Sequence, residues 1–386
     1  MHVLVSTIIL ASSSPTTMAN PADTGSGRTP LAAWEESILN LACDRSVVLL
    51  GENSHGDGAT IAIKAHLVPL LVDRCGFAAI AFESNTYDFA QLNRVTPGET
   101  TYDKAKLLAA IGGLWNRYNE FTPLSDWLAA KAPTQLAIRG VDAQLGAAGT
   151  FYAASTMFDE IAATLPAAAR SSCREMLSQA YAGGSFGQKP NKALDQCLAQ
   201  AAARTEKRTD VHGRHVLRMT QTVRKAVART TLSRDDYIAA RDRAMADEVL
   251  EFRESLPRRT KMLVWTANSH AAYGELANGG RPMAALLRDK LGQEVFAIGF
   301  SAAGGRYRWS PNQIREVPAA TVDSLESRVL GDDDIAVATK VRLTELGALP
   351  GTALSNHRPQ TAEWSATFDA LVVLRREEPT TPIATD

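Results

Sequence analysis

Glu52 and His55 stand three residues apart in the stretch Gly51-Glu52-Asn53-Ser54-His55-Gly56. A carboxylate at that spacing can orient an imidazole and raise its basicity, which is what a general base requires. The stretch follows Val47-Val48-Leu49-Leu50, an apolar run too short for a helix and closed by a glycine, so it reads as the end of a buried strand. Further acids or imidazoles follow other short apolar runs: Glu83 after Phe77 to Phe82, Asp142 after Gln135 to Ile138, and His270 after Met262 to Trp265. One polar residue after a strand is ordinary. Several at successive strand ends point to a site, because convergent polar groups at a sheet edge are what a ligand cleft needs.

The chemistry narrows by elimination. The serine of the common α/β hydrolases sits on a strand-to-helix turn, whereas Gly184-Ser185-Phe186-Gly187 lies in a helical region with no strand before it. No cysteine falls at a strand end that would expose a thiolate. Glu52, His55, Glu83 and His270 could ligate zinc or manganese, so a divalent metal stays open, but no H-E-x-x-H supports one. No other cofactor is implied. What remains is water activated by His55 and attacking a carbonyl.

The elements that would position these groups read as an α/β core. Helical patterns fill Pro30 to Ala42 and Ala59 to Arg74. Strands are expected at 47–50, 77–82, 135–138, 261–266, 294–300 and 367–374. A βαβ unit would set the first two strands side by side and bring Glu83 next to Glu52 and His55. Residues 149–257 lack strand patterns and read as an all-helical insertion between core segments 31–148 and 258–376. Within it His212 and His215 have the spacing of metal ligands on a helix, although a solvated basic face explains them more simply. Lys64 reads as a partner for a site glutamate, against the plain alternative of a helix-surface lysine. Asp142 reads as a helix N-cap more than as a substrate contact. The Pro- and Thr-rich tail, 377–386, is expected to be disordered.

A formal net charge of -1 over 386 residues gives no reason to expect nucleic acid or an anionic membrane as partner. The expected partner is a small molecule with a carbonyl open to attack by water, and the expected state a monomer. Residues 1–20, with an apolar stretch and then Thr17-Met18-Ala19, read as a secretory signal followed by a leader, 21–30. That places the chain in the periplasm or outside the cell, or in the cytoplasm if the stretch is no signal. Cys43, Cys75, Cys173 and Cys197 contain no C-x-x-C. Pairing in chain order would give two local staples, and four buried free thiols are the alternative.

Taken together the motifs resemble the erythromycin esterase family. They are Gly51-Glu52-x-x-His55-Gly56, Lys64, Phe82-Glu83, Gly140-Val141-Asp142, Arg241-Asp242-x-x-Met245-Ala246, Asn268-x-His270 and the closing Phe368 to Val373. The resemblance runs from about residue 31 to 375. It implies an α/β core with a helical insertion and hydrolysis of an ester, a macrolide lactone in the named members, by histidine-activated water. Catalytic roles would then fall to His55, Glu83, Glu52 and His270. Arg241, Lys64, Asn268 and Asp142 would touch substrate or the oxyanion. The chain departs from the pattern at Ala267, where the family's fourth strand ends with a histidine. The loss of one such group typically costs about 2.7–4 kcal/mol of transition-state stabilisation. A binding protein for a small molecule or haem on the same fold, and a metal-dependent hydrolase, are the rival readings.

Overall fold

The computed structural model describes residues 31–95, 101–146, 152–183, 185–274 and 279–384. The expected signal and leader lie outside that range. In chain order the strands are β1 (Val47–Leu50), β2 (Phe77–Asn85), β3 (Ala137–Asp142), β4 (Lys261–Trp265), β5 (Val295–Ala302), β6 (Gly305–Ser310), β7 (Gln313–Val317), β8 (Ile335–Thr339), β9 (Ala348–Gly351), β10 (Gln360–Glu363) and β11 (Ala370–Leu374).

One sheet of seven strands, in the order β3-β2-β4-β1-β5-β11-β8, forms the core. All its pairings are parallel except β11 with the edge strand β8. Parallel strands covered on both faces carry unbroken apolar runs, which is why β1, β4 and β11 were legible as such. Alternate residues then go to opposite layers. Val48, Leu50, Ile80, Phe82, Leu263 and Trp265 pack on the helices Ala33–Ala42, Gly58–Cys75, Lys104–Ile111 and Thr122–Ala129. Val47, Leu49, Ala81, Val264 and Ala297 pack on Arg234–Ser255 and Met283–Leu291. Leu50, wholly buried at the centre, would leave a cavity costing about 2–5 kcal/mol as alanine.

The strand order corrects one expectation. β1 and β2 are not neighbours, because β4 lies between them and pairs with both. The Ala267–His270 segment is thereby set between the two glutamates. The chain crosses from β4 over β1 to β5, so the reversal of strand order falls at β1, where open α/β sheets bind ligands.

The helices Met157–Ala163, Ala167–Ala182, Lys192–Thr205 and Val211–Thr230 share one apolar cluster with Tyr87, Ala143 and Leu145. Arg234–Ser255 does not belong with them. Its Met245, Val249 and Phe252 sit in the core layer under the sheet. Disulfides join Cys43 to Cys75 and Cys173 to Cys197, with Cα separations of 4.7 and 6.0 Å. His212 and His215 turn to different partners, Arg94 and the Tyr152 hydroxyl, and form no metal pair.

The tail is also not as expected. Residues 377–383 run along the sheet edge, bridging Asp57 through Pro379 and Tyr118 through Pro382, with Glu377 and Thr380 buried. Backbone groups paired on both sides hold it there: Gly58 donates to the Glu378 carbonyl and Thr380 to the Gly56 carbonyl.

Candidate active site

At the end of β1 the chain must turn within a few residues, and Asp57 fixes the turn by accepting the Ser54 amide at 2.8 Å. Gly56 meets the backbone of Arg308 so closely that a Cβ would stand 1.8 Å from its carbonyl oxygen. Glu52 lies beneath, fully buried, with both oxygens occupied. Oε2 takes the Lys64 ammonium at 2.6 Å, while Oε1 takes His55 Nδ1 at 2.7 Å and the Trp115 indole N–H at 2.8 Å. Burial alone would push the Glu52 carboxyl up, but Lys64 and His55 outweigh it and hold it below the usual range. Lys64 is lowered by the same burial, with Glu52 opposing. Burial also works against charge on His55. Its bond to Glu52 and the nearby Glu83 carboxylate win, and the ring is raised above its ordinary value.

Glu83 arrives from β2 on the far side of β4. Its Oε2 accepts the Thr266 hydroxyl and the Ala267 amide, each at 2.8 Å. Its Oε1 lies 2.9 Å from Arg241, 3.3 Å from His270 Nε2 and 4.0 Å from His55 Nε2. Despite burial, these cations hold it well below the carboxylate range. Asp142, at the end of β3, receives Arg241 at 2.9 Å rather than capping a helix. His270 Nδ1 is 2.7 Å from Asp242, which also accepts the Met283 amide at 2.8 Å. Burial disfavours charge on His270 as well, yet Asp242 and Glu83 raise it to about 10. At neutral pH it is therefore an imidazolium between two carboxylates, with Arg241 crowded against Nε2 at 3.1 Å.

Two histidines thus have separate environments. His55 keeps a third of its side chain open and His270 is nearly closed off. One can exchange a proton with a bound molecule, and the other holds a fixed charge. Both line a cleft of about 540 Å³, together with Glu83, Asp142, Arg241 and Ala267. That volume suits a small organic ligand.

The sequence profile of the family described as Erythromycin esterase matches residues 72–376. The chain belongs to the erythromycin esterase family. Solved structures agree on the fold. A succinoglycan biosynthesis protein superposes with a TM-score of 0.70 at 15% identity, covering 89% of this chain and 91% of its own. A protein from Bacillus cereus gives 0.67 at 17%, over 90% and 93%. An erythromycin esterase mutant, EreC in its open conformation, gives 0.65 at 17%, over 89% and 93%. No curated protein matches.

For a member of this family, some expected contacts fall elsewhere. Lys64 cannot reach a substrate, because its side chain is wholly buried behind Glu52. Nor can Asn268, whose amide donates to the carbonyls of Phe300 and Ala353 and accepts the Phe300 N–H. It clamps the β4 end to β5 instead. Asp242 and Trp115 were missed as site residues. Asp242 had a signal: it stands on the buried stripe with Met245, Val249 and Phe252, where a lone carboxylate needs a partner. Gly183 to Gly187 has the letters of a serine elbow, but the Ser185 hydroxyl accepts Gln144 at 3.1 Å in a loop after the helix Ala167–Ala182. Among the described residues no three acids, histidines or cysteines converge as ligands, and Lys64 and Arg241 already neutralise the glutamates.

Proposed function

We propose that the chain hydrolyses a carboxylic ester or lactone with water activated by His55, without a serine nucleophile. The observation that carries this is the pairing of His55 with Glu52 through Nδ1, which leaves Nε2 facing the cleft 4.0 Å from Glu83. That gap is too long for a direct hydrogen bond and suits one water, about 2.8 Å from each atom. With Nδ1–H donated to Glu52, Nε2 is the free base. It takes a proton as the water oxygen bonds to the carbonyl carbon, and returns it to the alkoxide when the carbon–oxygen bond of the ester breaks. Arg241 and charged His270 supply positive potential at the same end of the cleft, where the oxyanion develops. The paired cysteines support an exported protein, periplasmic or secreted, since such bonds persist in oxidising compartments.

The test is turnover of a panel of chromogenic esters and lactones, with and without a chelator. Activity should survive chelation and fall about 10²–10⁴-fold in His55→Asn. Loss on chelation would move the reading to a metal enzyme. No turnover on any ester would favour a binding protein that keeps the cleft.

A further inference from the structure

Beyond the histidines, the cleft wall carries two arginines that no carboxylate answers. Arg117 and Arg308 both line the cavity, and among the described residues no acid lies within ion-pair distance of either. The two carboxylates that do line it, Glu83 and Asp142, are both taken by Arg241. The outer wall is therefore positive without compensation.

Both guanidiniums are also held in place. Arg308 donates Nε–H to the Thr380 carbonyl at 2.8 Å and Nη1–H to the Pro311 carbonyl at 2.9 Å, and its amide bonds Gly56 at 3.1 Å. Arg117 donates Nε–H to the Gly113 carbonyl, and its Nη2 lies over that glycine, where a Cβ would come within 2.1 Å. The tail ties the two together. Ile383 donates to the Arg117 carbonyl while Thr380 accepts Arg308, so residues 380–383 set both arginines along one wall. Carbonyl partners orient a guanidinium without neutralising it, and leave Nη2 of Arg308 and the two terminal nitrogens of Arg117 to donate to an anion. Trp309, next to Arg308 and 39% exposed on the hairpin of β6 and β7, adds an apolar surface beside them.

We propose that the cleft selects an ester whose non-reacting part carries an oxyanion, a carboxylate in the first instance, seated by Arg117 and Arg308 while the carbonyl lies at His55. This rests on the esterase reading and adds the substrate class to it. A cationic ester would meet like charge, not paired with an acid, on the same wall.

The experiment compares three 4-nitrophenyl esters of matched length: the glutarate half-ester, the neutral pentanoate and a trimethylammonio-butanoate. Wild type should favour the glutarate over the pentanoate in kcat/KM by about tenfold or more, and the margin should shrink with added salt. Arg117→Gln and Arg308→Gln should each lower that ratio several-fold, and Arg308→Glu should favour the cationic ester. A ratio near one in wild type, or a ratio unmoved in both glutamine variants, overturns the proposal. Arg117 serves as the second variant because changing Arg308 also touches the tail. If no ester turns over, the esterase reading fails by itself, and anion binding is read instead from tryptophan fluorescence on titration with glutarate and with sodium sulfate. A saturable change in wild type that is lost in Arg117→Gln supports the site. No saturable change overturns it, and a response to sulfate as strong as to glutarate assigns the site to oxyanions in general.

Discussion

The Lys64 ammonium lies 2.6 Å from Glu52 Oε2, and neither side chain has any contact with solvent. The pair stands directly behind the proposed general base, so it acts on His55 through Glu52. With Oε2 committed to Lys64, only Oε1 is left for the imidazole and the Trp115 indole. The ring tautomer follows from that division.

Breaking this pair on one side should be more costly than removing it. Lys64→Met leaves a buried carboxylate without its cation and should destabilise the fold by about 3–5 kcal/mol. It also gives up the contact of Nζ with the Trp265 ring, 4.0 Å away. Lys64→Met with Glu52→Gln should recover much of that loss while turnover falls as in Glu52→Gln alone. Urea denaturation of the single and double variants gives the comparison. A single variant as stable as wild type would mean that Glu52 is already protonated.

The rate should rise with pH through the titration of His55. As a base the ring must be neutral, and Glu52 and Glu83 raise its pKa above the ordinary 6.5. The proton is therefore still bound at pH 6.5, and kcat/KM should climb on the alkaline side of that value. Glu52→Gln removes one raising influence, so the limb should move toward acid while kcat falls. His270 should not contribute to this limb, since it titrates near pH 10. A limb centred below 6.5 in wild type would remove His55 from the role.

The core strands were legible because burial on both faces writes itself as an apolar run. Edge elements were not. The alternation Arg306-Tyr307-Arg308-Trp309 in β6 runs for only four residues, Arg315-Glu316 breaks it in β7, and only Tyr307 and Val317 of the two strands are buried, so the hairpin leaves a weak signal. Arg308 and Trp309 went unseen with it. Strand order was equally out of reach, since whether β2 or β4 lies against β1 depends on how Arg234–Ser255 packs under the sheet. The polar ends of the strands survived that error because all parallel strands deliver their C-terminal ends to one edge. Glu83 met His55 through a shared edge, not through adjacency. The tail misled for a related reason. Pro, Thr and Glu suggest a free end by composition, while what orders 377–383 is backbone pairing to partners far away in the chain.

Each disulfide should contribute measurably. Closing 32 and 24 residues corresponds to about 3–4 kcal/mol apiece in the chain-entropy account. Cys43–Cys75 joins the helix before β1 to the helix before β2, so its loss should lower the main unfolding transition. Cys173–Cys197 lies within the helical insertion and should chiefly loosen that unit. Calorimetry with and without reductant, on Cys43→Ser/Cys75→Ser and on Cys173→Ser/Cys197→Ser, separates the two. An unfolding profile indifferent to reductant would show that neither bond forms.

The tail should respond to pH through Glu377. Burial, and then the nearby Asp57 carboxylate, raise this acid well above its ordinary value. Its oxygens receive the Thr60 amide at 3.2 Å and the Thr60 hydroxyl at 2.6 Å. Since the folded pKa exceeds the unfolded one, the stabilisation is complete below the unfolded value near 4.5 and is lost as pH rises toward the folded one. Glutamine reproduces the protonated form: its oxygen accepts the Thr60 amide and its NH₂ donates to the Thr60 hydroxyl. Glu377→Gln should therefore leave stability nearly unchanged near pH 5 and raise the melting temperature at pH 8–9. Because the same segment carries the Thr380 carbonyl that holds Arg308, the substitution should also keep selectivity for an anionic ester constant at alkaline pH, where wild type loses it. A variant less stable than wild type at pH 9 would mean that Glu377 is ionised in the fold and that its charge, not its proton, anchors the tail.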